Sequence, residues 1–302
     1  MQLGFVSAML PDLSLTDVLE FAAAEGFGCV EVMCWPPGDA DRRYAGVSHL
    51  DVTRLDDDRT EQIRTLVQQH GVAISGLGYY PNPLDPNPEH RRTVIEHLKK
   101  VISAGPRLGV RVVNTFIGRD PARSVADNWP LFRQVWPALV QHAEKEGVKL
   151  GIENCPMLFS PDEWPGGKNL AVSPAIWEAI FQEIPSPHLG LNLDPSHLIW
   201  QQIDYVRCAR DFAGRLVHVH AKDTRIDRDR LHTLGNLAMG WHTAKLPGLG
   251  DVDWSKFFSA LSDAGYGGAV CIEVEDRAFE GSLQDRKRAL RQSKRYLEQF
   301  VS

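Results

Sequence analysis

Eight short apolar runs, each followed by an amphipathic helical stretch, limit the folds open to this chain more than any other feature of its sequence. Strands that alternate with helices build parallel sheets, and eight such units are the number that closes a barrel. The 302 residues exceed the roughly 250 that such a barrel needs, and no linker-like stretch divides them. We therefore predict an α/β fold in which residues 1–302 form a single (β/α)8 barrel domain.

Several of these runs end in an ionisable side chain. The clearest is the segment 190–197, in which an apolar run stops at Asp194, Pro195 cannot extend a β-ladder, and His197 follows. In a parallel barrel the carboxyl ends of all strands open on one face, and active sites lie there. We therefore expect four strand-end side chains to meet at this rim: Glu153, Asp194, His220 and Glu273.

The seventh run contains two histidines, His218 and His220, which point to the same face of a strand because alternate residues do. Periodicity alone does not separate them. We select His220 because it lies nearer the carboxyl end of the strand, and we place His218 one layer deeper in the core. Glu31 also ends a strand-like run, but apolar residues continue beyond it, and the sequence leaves its role open.

Three carboxylates that face one another at the end of apolar strands are costly unless a cation compensates them. A ligand set of oxygens with a single nitrogen and no thiolate favours Mn²⁺, with Mg²⁺ or Co²⁺ as alternatives, over a zinc hydrolase centre. The other interpretation is that these groups form ordinary salt bridges with Lys222, Lys149 or Arg215. Because four strand ends in succession share the pattern, we predict one bound divalent metal ion.

Long connections follow the second, fifth and seventh runs and carry Trp35, Trp164 and Trp241. Aromatic rings above a polar pocket suit the apolar faces of a sugar, although each ring taken singly could equally pack its loop onto the barrel. Cys155 follows Glu153 by two residues and could line the site. The five cysteines are scattered and form no C-x-x-C pair, so we interpret Cys155 as a reduced bystander thiol.

Charge and composition exclude several classes of protein. The net charge of −6 and the lack of a basic stripe argue against a nucleic-acid partner. No apolar run approaches the length that spans a membrane. The amino terminus enters a strand directly instead of a signal sequence, so we expect a cytoplasmic location. Self-association into a homo-oligomer remains open at this stage.

Four segments together resemble the xylose-isomerase-like TIM barrels of the sugar isomerase/epimerase superfamily. They are residues 194–197 (DPSH), 220–223 (HAKD), 246–254 (LPGLGDVDW) and 271–276 (CIEVED). The resemblance implies that Glu153, Asp194, His220 and Glu273 bind one divalent metal ion. It also implies that Glu153 and Glu273 form the proton-transfer pair, and that His197 and Lys222 contact substrate.

Two departures separate this chain from the ketose 3-epimerases of that superfamily. They have an arginine six residues after the ligand histidine, where this chain has Ile226 with Arg225 beside it. They also have a substrate-binding glutamate six residues after the first ligand, where this chain has Phe159. The HAKD and LPGLGDVDW segments resemble the inosose dehydratase and uncharacterised sugar isomerase branches more closely. We include Arg225, Trp35 and Trp241 among the expected substrate contacts.

The resulting hypothesis is a divalent-metal-dependent sugar isomerase or epimerase that removes a proton next to a substrate carbonyl. The acidic segment 273–280 (EVEDRAFE) argues against the phosphate cup that barrels build after their last two strands, so we expect an unphosphorylated keto-sugar or cyclitol. The alternative is a dehydratase or β-eliminating lyase that acts on a keto-sugar, keto-glycoside or inosose with the same site, because the first step is shared.

A phosphodiesterase resembling endonuclease IV shares this fold and part of the ligand set. Its cluster of metal ions uses additional histidines after the second and third strands. The third and fourth runs of this chain end in GLGYY at 76–80 and NTF at 114–116, which contain no histidine. Together with the negative net charge, this makes the nuclease the least favoured hypothesis.

Overall fold

The computed structural model describes residues 1–37, 45–157 and 167–301. Its parallel strands close into a barrel with the neighbour order β1-β10-β7-β6-β5-β4-β3-β2, which confirms the predicted (β/α)8 fold. The barrel strands are β1 Gln2–Val6, β2 Cys29–Met33, β3 Ala73–Gly78, β4 Val112–Thr115, β5 Lys149–Glu153, β6 Leu189–Leu193, β7 Leu216–Ala221 and β10 Ala269–Ile272.

Helices cover the outside of the barrel, and polar side chains fix where many of them begin. Ser14, Ser124 and Ser282 each accept a hydrogen bond from the backbone N–H three residues later, which satisfies a donor that the first turn leaves free. The helices are α1 Leu15–Ala24, α2 Asp57–His70, α3 Pro88–Arg107, α4 Val125–Glu146, α5 Pro174–Glu183, α6 Pro195–Ile199, α7 Tyr205–Asp211, α8 Arg228–Leu234, α9 Trp254–Asp263 and α10 Leu283–Leu297.

The apolar core lies between the barrel wall and these helices. Trp136, Trp177 and Trp254 are among its largest fully buried side chains. Helix α4 ends at Gly147, whose φ of 63° is a left-handed conformation that glycine adopts without steric cost. No helix in the described part of the chain is both long and apolar enough to cross a bilayer.

The connection after β7 contains an antiparallel hairpin that the sequence did not predict. Strands β8 Asp223–Ile226 and β9 His242–Lys245 form it, with α8 between them. Asp223 holds its base, because the buried carboxylate accepts hydrogen bonds from the backbone N–H groups of Gly248 and Val252 and from Trp254 Nε1. A Cβ at Gly250 would lie 2.2 Å from Asp223 Oδ1, so only glycine fits there.

Two of the segments that carry the family resemblance therefore have a structural role. Asp223 belongs to the HAKD segment, and Gly248, Gly250, Val252 and Trp254 belong to the LPGLGDVDW segment. Their hydrogen bonds fix the hairpin beside the strand that carries His220. A short polar strand such as β8 has no apolar alternation, so sequence periodicity gives no signal for it.

Candidate metal centre

The four strand-end side chains predicted to meet do so at the carboxyl edge of the barrel. Glu153 is the last residue of β5, Asp194 follows β6, His220 lies near the end of β7, and Glu273 follows β10. Each of the four side chains offers one potential ligand atom, and these four atoms all lie within 4.8 Å of one another. Glu153, Asp194 and His220 are buried, and Glu273 is partly buried. This cluster offers three oxygens and one nitrogen, a donor set that could hold a divalent metal ion.

The imidazole of His220 is oriented by a carboxylate that the sequence left without a role. His220 Nε2 lies 2.8 Å from Glu31 Oε2, whereas Nδ1 faces Glu153 Oε1 at 3.8 Å and Glu273 Oε2 at 3.7 Å. Because a carboxylate accepts hydrogen bonds, Nε2 donates to Glu31. Burial lowers the pKa of His220, but the carboxylates of Glu31 and Glu153 outweigh burial and raise that pKa well above its ordinary value. The buried Nδ1 atom makes no hydrogen bond to any described residue and faces the cluster of acidic groups.

Glu31 is itself held by residues of β3 and its extension. The Tyr80 hydroxyl donates a short hydrogen bond to Glu31 Oε1. A Cβ at Gly78 would lie 2.6 Å from that same oxygen, so the glycine makes room for the carboxylate. The side chain of Glu31 is completely buried, and it belongs to the hydrogen-bonded support that metal-binding histidines commonly have.

We expect Glu31→Gln to weaken metal binding by about 10–100-fold, because the neutral amide no longer orients and polarises the His220 ring. Isothermal titration of the metal-free protein with Mn²⁺ measures the change. Glu25→Gln is the matched control, since Glu25 pairs with Arg291 on the helical exterior. Unchanged Mn²⁺ affinity in the Glu31 variant would contradict this role.

Asp194 has one oxygen committed to the fold and one directed into the cluster. Asp194 Oδ1 accepts a hydrogen bond of 2.8 Å from the backbone N–H of Ser196 and thereby caps α6. Oδ2 is buried and accepts no hydrogen bond from a described residue. Asn154 fixes the backbone here, because its side chain donates to Asp194 O and accepts from Asp194 N. This clamp joins the ends of β5 and β6 and sets the separation of Glu153 and Asp194.

Lys222 bears out part of the salt-bridge interpretation. Its Nζ atom lies 2.6 Å from Glu273 Oε2, 3.1 Å from Glu275 Oε2 and 3.3 Å from Asp194 Oδ2. Burial lowers the pKa of Lys222, but the adjacent carboxylates, Glu273 first, outweigh burial and raise that pKa well above its usual value. The lysine therefore stays charged.

The other two candidate partners do not reach the cluster. Lys149 begins β5 at the opposite end of the barrel. Arg215 donates to the backbone oxygens of Ser186 and Leu189. One lysine thus faces four carboxyl groups, those of Glu153, Asp194, Glu273 and Glu275, so the acidic groups outnumber it. A divalent cation fits this donor set because it offsets most of the remaining charge.

The two glutamates of the cluster differ in protonation. Burial raises the pKa of Glu273 to about 7, with Glu275 and Glu153 adding to the rise and Lys222 opposing it. Burial also disfavours ionised Glu153, but His197, His220 and Lys222 outweigh it and lower the pKa of Glu153 below its ordinary value. Paired carboxyl groups whose surroundings separate their pKa values are suited to opposite roles in acid–base catalysis. A coordinated cation would shift Glu273 back toward its ionised form.

The residues predicted to contact substrate occupy different environments. His197 Nε2 lies 3.4 Å from Asp194 Oδ2 and 3.6 Å from Glu153 Oε1, at the edge of the cluster. Trp35 is partly buried and packs edge-on against Tyr79 at 4.9 Å. Arg225 is exposed on β8. Substrate contact by these residues and by Lys222 stays a prediction, and Trp164 and Phe159 lie outside the described residues.

Of the aromatic group at the hairpin, the sequence had indicated only Trp241. Trp241 is 2% exposed and its Nε1 donates to Ala238 O, so at least part of its role is to pack the hairpin. The Trp200 ring stacks on His242 at 4.5 Å with an interplanar angle of 4°. Trp200 follows α6 and His242 begins β9, so their contact depends on the unpredicted hairpin. The predicted substrate contact of Trp241 is not tested by this packing.

Comparison with known proteins identifies the family. The model of the xylose isomerase-like TIM barrel family matches residues 19–300, and the chain belongs to this family. The uncharacterised YfiH protein of Bacillus subtilis (strain 168) is 28% identical over 335 aligned positions that cover 97% of this chain and 99% of YfiH. Inosose dehydratase of Clostridium perfringens (strain 13) is 33% identical over 101 positions, which cover 31% of this chain and 33% of the dehydratase.

Solved structures show the same architecture. The structure of D-psicose 3-epimerase from Clostridium cellulolyticum H10 with D-tagatose superposes with a TM-score of 0.72 at 14% identity and covers 100% of both chains. At this identity the match establishes the shared fold. The family resemblance inferred from the sequence is thus confirmed, and its similar proteins include sugar epimerases and inosose dehydratases.

Proposed function

We propose that this protein is a metal-dependent sugar isomerase or epimerase that acts on an unphosphorylated keto-sugar or cyclitol. The observation that carries the proposal is that Glu153 and Glu273 both approach His220 Nδ1, at 3.8 and 3.7 Å, from strand ends that two other strands separate. Carboxyl groups placed on separate parts of the rim can reach a bound substrate from opposed faces, as proton removal from one face and return to the other require. The oxygen-rich donor set favours Mn²⁺, with Mg²⁺ or Co²⁺ as alternatives.

Each residue of the cluster has its own role in the proposed reaction. A divalent ion held by Glu153, Asp194, His220 and Glu273 would supply Lewis-acid polarisation of the substrate carbonyl. Glu153, with its lowered pKa, is ionised and removes the proton from the adjacent carbon. Glu273, the second carboxyl group that approaches His220 Nδ1, takes up a proton from solvent and delivers it to the other face or to the neighbouring carbon.

Cationic and polar groups at the edge of the cluster bind the rest of the substrate. The buried Lys222 ammonium stabilises the negative charge that develops on the enolate oxygen. His197 Nε2, which makes no hydrogen bond to a described residue, holds a substrate hydroxyl. Burial of the four ligand side chains keeps bulk water from competing for the proton.

A dehydratase or β-eliminating lyase is the second candidate, and the similarity to inosose dehydratase favours it. Its first step is the same proton removal by Glu153. The difference lies in the next step, in which a β-oxygen leaves and takes a proton from Glu273 or His197. The site residues alone support both outcomes, so the experiment must follow the fate of the substrate.

The test is incubation of the Mn²⁺-loaded protein with ketoses, 3-keto-sugars and inososes in D₂O, followed by NMR. We expect deuterium at the carbon next to the carbonyl in at least one of these substrates. A labelled product of unchanged composition indicates an isomerase or epimerase, whereas loss of water or of an aglycone indicates the lyase. Turnover without solvent label would contradict the proton-transfer mechanism.

We expect the unphosphorylated form of that substrate to be preferred over its phosphate ester. Glu275 lies beside Lys222, and Asp276 accepts two hydrogen bonds from Lys245, so acidic groups line the rim after β10. These charges repel a phosphate group. The ratio of kcat/KM for the two forms measures the preference, and a higher value for the phosphorylated sugar would contradict it.

A further inference from the structure

A second cluster of metal-ligating side chains adjoins the first. Glu153, Cys155 and His197 each place one potential ligand atom within 4.8 Å of those of the other two. Glu153 ends β5, Cys155 lies two residues beyond it, and His197 is in the short helix α6. The sulfur distinguishes this cluster from the oxygen-rich set formed by Glu153, Asp194, His220 and Glu273. The two clusters share only Glu153.

The distance between His197 and Glu153 fits two ligands of one ion better than it fits a hydrogen bond. His197 Nε2 is buried and makes no hydrogen bond to a described residue. Its nearest carboxylate oxygens, Asp194 Oδ2 and Glu153 Oε1, lie at 3.4 and 3.6 Å, beyond the usual hydrogen-bond length of about 2.7–3.2 Å. A tetrahedral ion with ligand bonds of 2.0–2.3 Å holds its ligand atoms roughly 3.3–3.8 Å apart.

The chemistry of the second cluster differs from that of the first. Cys155 Sγ lies 3.5 Å from Met157 Sδ, so two sulfur atoms face this side of Glu153. Sulfur and imidazole ligands select borderline-soft ions such as Zn²⁺, whereas carboxylates select Mn²⁺ and Mg²⁺. The two neighbouring clusters are therefore suited to different metals.

We propose that Glu153, Cys155 and His197 form a second metal site, specific for Zn²⁺-like ions, with Glu153 shared between the two centres. On binding, a bond forms between the metal and Cys155 Sγ, and the thiol proton leaves to solvent. Three protein ligands leave one position for water or substrate. The site goes beyond the proposed sugar chemistry and shares two residues with it, Glu153 and His197.

Titration of the metal-free protein with Co²⁺ tests the proposal, because thiolate-bound Co²⁺ has a charge-transfer absorption in the near ultraviolet that oxygen-bound Co²⁺ lacks. We expect the wild type to bind two equivalents and to show this band, which Zn²⁺ removes by competition. Cys155→Ser should bind one equivalent without the band. His197→Gln, a second variant, should likewise lose it. Asp194→Asn should lose the other equivalent and keep the band.

Cys208→Ser is the matched control, since Cys208 is a buried thiol of the outer helix α7, and it should retain both equivalents and the band. The proposal is overturned if the wild type binds a single equivalent, if it shows no band, or if the band survives in Cys155→Ser. Its failure is distinguishable from failure of the proposed function. If only the second metal site is wrong, deuterium exchange into the substrate remains. If only the proposed function is wrong, the Co²⁺ band remains.

Discussion

Glu273→Gln and Glu153→Gln are each expected to slow the entry of solvent deuterium into the substrate by about 10²–10⁴-fold, the usual contribution of a positioned general acid or base. Glutamine keeps an oxygen that can face the metal but cannot accept or return a proton at neutral pH. The rate of deuterium incorporation by NMR, measured at saturating Mn²⁺, checks both variants. Metal content is measured on the same samples, so that loss of the ion is separated from loss of the base.

Glu275→Gln is the matched control for this prediction. Glu275 also lies next to Lys222, at 3.1 Å, but is not among the four clustered ligand groups. Its substitution changes the local charge by the same amount and should slow exchange far less. Equal losses in all three variants would show that net charge, rather than proton transfer by two particular glutamates, determines the rate.

The four clustered ligand groups could be predicted from the sequence because each is a local signal. Glu153, Asp194, His220 and Glu273 end apolar runs, and a barrel brings the carboxyl ends of all its strands to one face. Only the count of runs and their direction were needed. The selection of His220 over His218 rested on depth. In the structure His220 lies in the four-residue cluster, whereas His218 hydrogen-bonds Asn192 and Ser75.

The support of the cluster could not be predicted, because it depends on contacts between distant strands. Glu31 is 189 residues from His220 in the chain, and nothing local to either residue indicates that they meet. The same holds for Tyr80 and Gly78, because their contacts with Glu31 depend on the pairing of β3 with β2. Such contacts are set by barrel register and side-chain length, which hydrophobic periodicity does not encode.

A segment that carries a family resemblance can have a structural role instead of a catalytic one. The HAKD and LPGLGDVDW segments carried the family resemblance, yet Asp223 and Gly250 serve to fix the hairpin base. Lys222, in the same segment, faces the candidate metal cluster. Lys222 and Asp223 are adjacent, so their side chains point to opposite sides of the chain and have different roles.

Asp194→Asn is expected to weaken Mn²⁺ binding by more than about 100-fold, beyond the cost of losing a residue that only orients a ligand. The substitution removes the charge of the oxygen that faces the cluster, Oδ2, and retains an oxygen that can accept from Ser196 N. Electron paramagnetic resonance of free Mn²⁺ measures the affinity. Circular dichroism and thermal unfolding check that the barrel is folded.

Asp194→Ala separates the two tasks of this side chain. Because it removes a repelling carboxylate, we expect it to abolish metal-dependent activity without unfolding the barrel. The structure adds a cost, because the alanine also loses the cap of α6, an interaction worth about 1 kcal/mol. Both variants should therefore lose Mn²⁺, and the alanine variant should unfold at a lower temperature than the asparagine variant. Full Mn²⁺ content in either variant would show that Asp194 is not a metal ligand. It would also contradict the argument from charge that the four strand-end side chains form one metal centre.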